Sequence, residues 1–231
     1  MRLMQREAEK AFRGLVNTQS IQSNVPDTLD PNVARIIFNS NNKQINITQN
    51  ACQLILKFQE PEKLSLEEQW DVIKKNVKDF HNKAMVFKQS GEYGVSSLVF
   101  PIAVKSNASS AELNKLLYNK LVKQHRSGDI ASVSVAIGYK HDLWYLNVNI
   151  SAYEKRQFNI KSIQGQLIHI NLDLDKLPVT GRGINLAFDV NNRPKFQQNE
   201  TSSIDTPEET LRLAQDFSAE QLTDFFAETE A

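Results

Sequence analysis

Polar and hydrophobic residues alternate strictly from Gln166 to Asp175. An alternation with a period of two places successive side chains on opposite faces of a β-strand. One face would carry Ile168, Ile170, Leu172 and Leu174. The other would carry His169, Asn171, Asp173 and Asp175. The pattern therefore predicts a strand with one buried face and one solvated face.

Other short hydrophobic runs, separated by turn-forming residues, predict further strands. They cover 33–38, 44–48, 52–59, 95–104, 130–139, 143–153, 158–160 and 184–191. The run 95–104 is apolar at both alternating sets of positions, which is typical of a strand buried on both faces. It also contains Pro101, which lacks a backbone N–H and so favours an edge strand or a bulge.

Helical spacing of apolar residues predicts four helices, of which the first lies within 1–16. A second begins after Ser65 and a third after Ser109, because each serine is followed three residues later by a glutamate, as in a capping box. A fourth begins at Thr206, where Pro207 suits the first helical turn. Trp70 shares the apolar stripe of the second helix and is predicted to be a core anchor. Segment 17–31 is predicted to be a loop or arm, and segment 191–206 is predicted to be a loop.

Strands occur in blocks and do not alternate with helices, which favours antiparallel β-meanders over a parallel sheet. We therefore expect an α+β fold in which amphipathic helices pack on the meanders and lie at both termini. The length of 231 residues suits a single domain or two sub-halves, 1–106 and 107–231.

Lys and Arg together number 27, as do Asp and Glu, so the overall charge does not favour nucleic acid or an anionic membrane. The chain has one cysteine, Cys52, which excludes an internal disulfide. It lacks a start resembling a signal peptide and a run of about 20 apolar residues. We therefore expect a cytoplasmic protein without membrane contact.

The polar row His169, Asn171, Asp173 and Asp175 is the first candidate partner-binding surface. Its chemistry resembles a metal site, but positions two apart on a strand stand about 6–7 Å from each other. His169 and Asp173 therefore need a ligand from another strand, such as Asp189. We expect no metal, cofactor or catalytic residue, with a metal-dependent hydrolase or nuclease using His169, Asp173 and Asp189 as the alternative.

The exposed side of the third helix gives a second candidate surface, formed by Lys115, Lys120, Lys123 and Arg126. A basic helix face suits an anionic partner, so a nucleic-acid-binding accessory protein is a further alternative. No aromatic residues are interleaved for stacking on bases, and a solvated helix face is favoured over nucleic-acid binding.

The segment 200–231 carries nine carboxylates against Arg212 alone. Such a segment is attracted to the basic remainder of the chain. It predicts either an acidic helix docked on its own domain or an arm that docks on another subunit. We accordingly expect a homo-oligomer with an unidentified protein partner.

Four of these features follow one another along the chain: the strand Cys52–Phe58, a helix bearing Trp70, the late strand Leu172–Asp175 and a terminal helix. In this succession the chain is similar to a sporadically distributed, uncharacterised bacterial protein family of comparable length. The resemblance covers about half the chain. It implies an α+β fold in a bacterial cytoplasm and brings no activity with it. The function we expect is therefore non-enzymatic binding or assembly, through a sheet face or the terminal helices.

Overall fold

A computed structural model of the chain describes residues 2–16, 19–23, 26, 30–88, 92–122, 128–157 and 176–227. The chain forms two compact units. Unit 1 combines Met1–Ser96 with Lys195–Ala231, and unit 2 is Ser97–Pro194. Each has a four-stranded antiparallel sheet packed with helices, so the predicted α+β class is confirmed. The units do not coincide with the sub-halves 1–106 and 107–231, because the chain returns to unit 1 at its end.

The sheet of unit 1 is a simple meander in the order β1-β2-β3-β4. Its strands are β1 (Ile21–Gln22), β2 (Ile36–Asn39), β3 (Lys43–Ile47) and β4 (Cys52–Leu56). The helices are α1 (Arg2–Ala11), α2 (Leu66–Lys88) and α5 (Thr206–Ala227), with a 3₁₀ turn at Pro61–Lys63. A short helix, α4 (Arg193–Gln197), lies where the chain passes between the units.

Phe12 is the centre of one core in unit 1 and is fully buried. Its ring centroid lies 5.9 Å from those of Phe38, Phe80 and Phe87, which come from β2 and α2. Aromatic rings at this separation combine a large buried area with favourable edge and face contacts. This cluster joins α1, the sheet and α2 into one body.

Helix α2 begins with the predicted capping box. The backbone N–H of Ser65 donates to Glu68 Oε2 at 2.6 Å, and the backbone N–H of Glu68 donates to Ser65 Oγ at 3.1 Å. Trp70 is 3% exposed, which confirms it as a core residue. The acidic helix α5 packs against α2 of the same chain, so the first of its two predicted arrangements is the one observed here. Leu211, Ala214, Phe217 and Phe225 are its buried apolar residues.

Unit 2 is a sheet in the order β5-β8-β7-β6 with one helix on one face. Its elements are β5 (Ser97–Lys105), α3 (Ser110–Leu121), β6 (Ser134–His141), β7 (Trp144–Arg156) and β8 (Val179–Asn191). Leu113 and Leu117 of α3 are buried, and α3 contacts the two central strands, β7 and β8. Val148, Ile150, Leu186 and Phe188 form the apolar sheet face that these leucines cover.

Three predictions from the sequence need correction. Segment 17–31 contains β1, which pairs with β2, and segment 191–206 contains α4. Both elements are shorter than the stretch of sequence over which a periodic pattern can be recognised. Strand β5 is an edge strand, as Pro101 indicated, but only one of its faces is shielded and the other is exposed. The predicted strands 158–160 and 166–175 lie outside the described residues.

A carboxylate holds the start of α3 on the sheet. Glu154 of β7 accepts hydrogen bonds from Arg182 Nε at 2.6 Å, Ser110 Oγ at 2.8 Å and Arg156 Nε at 2.6 Å. These donors, Arg182 first, lower the pKa of Glu154 to about 2. The charged form is thereby favoured in the folded protein.

Trp70→Ala should lower the free energy of unfolding of the protein by about 3–5 kcal/mol, because it empties a buried site of indole size. Urea unfolding followed by circular dichroism measures the change. A variant as stable as the parent would contradict the core role of Trp70.

Glu154→Gln should lower the unfolding temperature of unit 2 at neutral pH. Since the folded pKa of Glu154 is about 2 against an ordinary value of 4.5, its charge stabilises the fold above pH 4.5, and this contribution is lost as the pH falls towards 2. Thermal unfolding from pH 7 to pH 2 should therefore show the two proteins converging. Asp129→Asn, at an exposed carboxylate of the same unit, is the control. A difference that persisted to pH 2 would contradict the assignment.

Candidate functional site

Most of the site residues predicted from sequence fall outside the part of the chain that the structure describes. This holds for His169, Asn171, Asp173 and Asp175, and also for Lys123 and Arg126. The predictions at these positions therefore stay predictions. Lys115 is described and is exposed on α3, and Asp189 lies on β8.

In unit 2, a partly polar face of the sheet lies on the side opposite α3. We call it the open sheet face. It consists of Ser97, Val99, Pro101 and Ala103 on β5, Asn185, Ala187, Asp189 and Asn191 on β8, Tyr145, Asn147, Asn149 and Ser151 on β7, and Ser134, Ala136, Gly138 and Lys140 on β6. None of the described helices of unit 2 lies on it.

The strand register brings these residues into rows across the sheet. Val99 is opposite Asp189, Asp189 is opposite Asn147, and Asn147 is opposite Gly138. The next row is Pro101, Ala187, Asn149 and Ala136. No side chain in these two rows is larger than asparagine, aspartate or valine, so the middle of the face is nearly flat, and the next row carries the larger Tyr145 and Lys140. A shallow depression of about 430 Å³ lies over its middle.

The polar groups of the open sheet face are bonded mainly to one another. Ser134 Oγ donates to Asn149 Oδ1 at 2.9 Å, and Asn147 Nδ2 donates to the Asp189 carbonyl at 3.4 Å. The Asp189 carboxylate accepts from Ser97 Oγ at 3.2 Å and from Asn191 Nδ2 at 3.0 Å. Both donors bond to Oδ1, and they hold the Asp189 side chain in place on the sheet. Val99, beside it, is 69% exposed.

Tyr153 and Gly183 limit this face at one end. A Cβ atom on Gly183 would lie 2.0 Å from the Val104 carbonyl oxygen and 2.9 Å from Tyr153 Cε1. The Val104 carbonyl group and the Tyr153 ring can therefore lie this close to residue 183 only because it has no side chain. Gly181, two residues earlier on the same strand, has nothing within 4 Å of that position.

Three kinds of candidate catalytic group can be compared with the structure: a metal cluster, the Cys52 thiol and the neighbours His141 and Asp142. The described residues contain no group of three or more His, Cys, Asp or Glu that could hold a metal ion. Burial raises the pKa of the Cys52 thiol to about 12, so it is not a thiolate nucleophile at neutral pH. His141 Nε2 and Asp142 Oδ2 are 3.9 Å apart at an exposed hairpin turn. That separation is too long for the hydrogen bond that orients a general base.

Sequence patterns missed part of this surface, namely Val99, Pro101 and Ala103 on β5. The apolar run 95–104 concealed which of its residues face solvent. The signal that could have revealed them is the exposed valine on a strand whose proline marks it as an edge.

No family model matches this chain, and the searches of curated proteins and of solved structures likewise found no match. Within the described ranges, no helix is both long and apolar enough to cross a bilayer.

Gly183→Ala should destabilise unit 2 by about 1–3 kcal/mol, since the added methyl group forces the β5 backbone or Tyr153 to move. Gly181→Ala is the matched control on the same strand. It should be neutral or stabilising by up to about 1 kcal/mol, because it reduces the entropy of the unfolded chain without a clash. Chemical denaturation of the two variants measures both effects. Equal effects would contradict the close approach at Gly183.

Proposed function

We propose that this chain is a non-enzymatic binding or assembly protein, and that its open sheet face packs against a second copy of the chain. The observation that carries the proposal is the combination of a nearly flat middle of this face, built of small residues, with a 69% exposed Val99. A cytoplasmic setting is part of the proposal.

Flatness favours a protein partner over a small molecule. Small ligands are usually bound in concave sites that cover most of their surface, whereas two flat sheets can pack face to face. The depression on the open sheet face is shallow and is lined in part by Gly138 and Ala187. A second sheet would cover Val99 and these small residues together.

The hydrogen bonds within the face reduce the cost of covering it. Asp189 Oδ1 and Asn149 Oδ1 keep their partners within the face when water leaves. Desolvation of such a face is therefore cheaper than desolvation of a surface whose polar groups are bonded to water alone.

The available area fits a reversible association. Four strands about 4.8 Å apart, each about ten residues long, cover roughly 600 Å². Two such faces would bury roughly 1,200 Å², which is at the lower limit for stable specific interfaces. We therefore expect association at micromolar concentrations.

The other functions have less support in the described residues. A metal-dependent hydrolase would depend on His169 and Asp173 with Asp189, whose carboxylate already has two partners. Of the four cations predicted for a nucleic-acid surface on the third helix, Lys115 and Lys120 lie within the described residues.

Sedimentation of the full chain between about 5 and 100 µM tests the proposal. The parent should sediment above monomer mass in a concentration-dependent way. Val99→Glu should be monomeric, because it replaces the exposed valine of the contact with a second carboxylate opposite Asp189, and two like charges would have to be buried together. Val86→Glu is the matched control, since Val86 is 71% exposed on α2 of unit 1, and it should associate as the parent does.

Two results would contradict this function. One is a parent protein that stays monomeric over the whole concentration range. The other is a Val99→Glu variant that is folded and still associates like the Val86→Glu control.

A further inference from the structure

Unit 1 contains a groove of about 520 Å³ between α2 and α5. Its apolar lining comes from Val77 on α2, from Pro207 and Leu211 on α5, and from Ile204 just before α5. Ile204 is 59% exposed. The volume lies within the range typical of ligand sites, which is about 300–1,000 Å³.

The two helices run in opposite directions along this groove. His81 lies close to the backbone of Ile204, and Lys78 Nζ lies 4.0 Å from Glu208 Oε1, so lower numbers on α2 face higher numbers on α5. Lys74, one turn before Lys78, therefore lies near Arg212. Arg212 follows Asp205 along α5, and at a rise of 1.5 Å per helical residue Lys74 therefore lies about 10 Å along the groove from Asp205.

Charges line the groove in an ordered way. Two of its three cations have carboxylate neighbours, Lys78 with Glu208 and Arg212 with Asp216 at 3.3 Å. Lys74 and Asp205 also line the groove, and neither side chain forms an ion pair or hydrogen bond with the described residues. Burial lowers the pKa of His81, so its ring adds no charge at neutral pH. The groove thus has an unpaired cation at one end and an unpaired carboxylate at the other.

We propose that this groove binds a short apolar peptide of about three residues with both termini free. Its ammonium group would pair with Asp205, its carboxylate with Lys74, and its side chains would cover Val77, Ile204 and Leu211. An extended chain spans about 3.3–3.6 Å per residue, so three residues match the separation of about 10 Å. This function is separate from the packing of the open sheet face, because the groove lies wholly in unit 1.

The pair Lys78–Glu208 stands between the two ends of the groove and has to accommodate the peptide. Both side chains are 71% exposed, and their charged atoms are 4.0 Å apart. Exposed pairs of this kind contribute little to stability, so their separation by a bound peptide costs little.

Titration of the full chain with the tripeptide Leu-Ala-Leu, followed by amide NMR shifts, tests the proposal. Shifts should appear in α2 and at the start of α5. C-terminal amidation and N-terminal acetylation of the peptide should each weaken binding about 2- to 5-fold, the range expected for one exposed ion pair.

Three variants then assign each end of the peptide. Lys74→Gln should weaken the free-acid peptide about 2- to 5-fold and leave the amidated peptide unchanged. Asp205→Asn should weaken binding of the free-amine peptide about 2- to 5-fold and leave binding of the acetylated peptide unchanged. Lys75→Gln, at an exposed neighbour that does not line the groove, is the control and should change nothing.

The proposal is overturned if groove residues show no shifts at millimolar peptide. It is equally overturned if blocking either terminus leaves the affinity unchanged, or if Lys74→Gln and Lys75→Gln act alike. The sedimentation of the chain is independent of each of these results, so this site and the open sheet face can fail separately.

Discussion

The pairing of β7 with β8 is the constraint on which unit 2 depends. The two strands are matched without interruption from Tyr145 opposite Asn191 to Lys155 opposite Gly181, with an irregularity only after Lys155. This register places Val148 beside Phe188 on the side of α3, and Asn147 beside Asp189 on the other side. Because side chains alternate with a period of two, a slip of one residue would exchange the two faces of a strand. The core and the open sheet face are therefore specified by the same hydrogen bonds.

Unit 1 is organised differently, because its parts are distant in sequence. Phe12 brings α1, β2 and α2 together, and α5 joins them only after the chain has traversed unit 2. A polar connection in unit 1 is the bridge between Tyr93 and Ser202, whose backbone groups exchange hydrogen bonds of 3.2 and 2.7 Å. Ser202 Oγ also donates to the Gly94 carbonyl at 2.9 Å. These contacts fix the segment that leads into α5, and so they position Asp205 at the groove.

Local sequence signals predicted the elements well where a whole period or a cap was present. The capping boxes at Ser65 and Ser109 marked the starts of α2 and α3, and alternation marked β7 and β8. The candidate surfaces were predicted less well, because they depend on which strands become neighbours. Val99 meets Asp189 only through the antiparallel pairing of β5 with β8, which are separated by 73 residues in sequence between Lys105 and Val179. The groove likewise depends on the return of α5 to α2.

Pro101 in β5 affects how this protein meets other sheets. An edge strand presents a row of backbone donors and acceptors that can pair with any other exposed strand. A proline has no backbone N–H donor, and Pro101 lies in the middle of β5, opposite Ala187. Open-ended growth of the sheet in this direction, the geometry of fibrils, is thereby disfavoured. Pro101 therefore disfavours unlimited polymerisation by strand addition at β5. It does not block the open sheet face, which can be covered without any strand being added to the sheet.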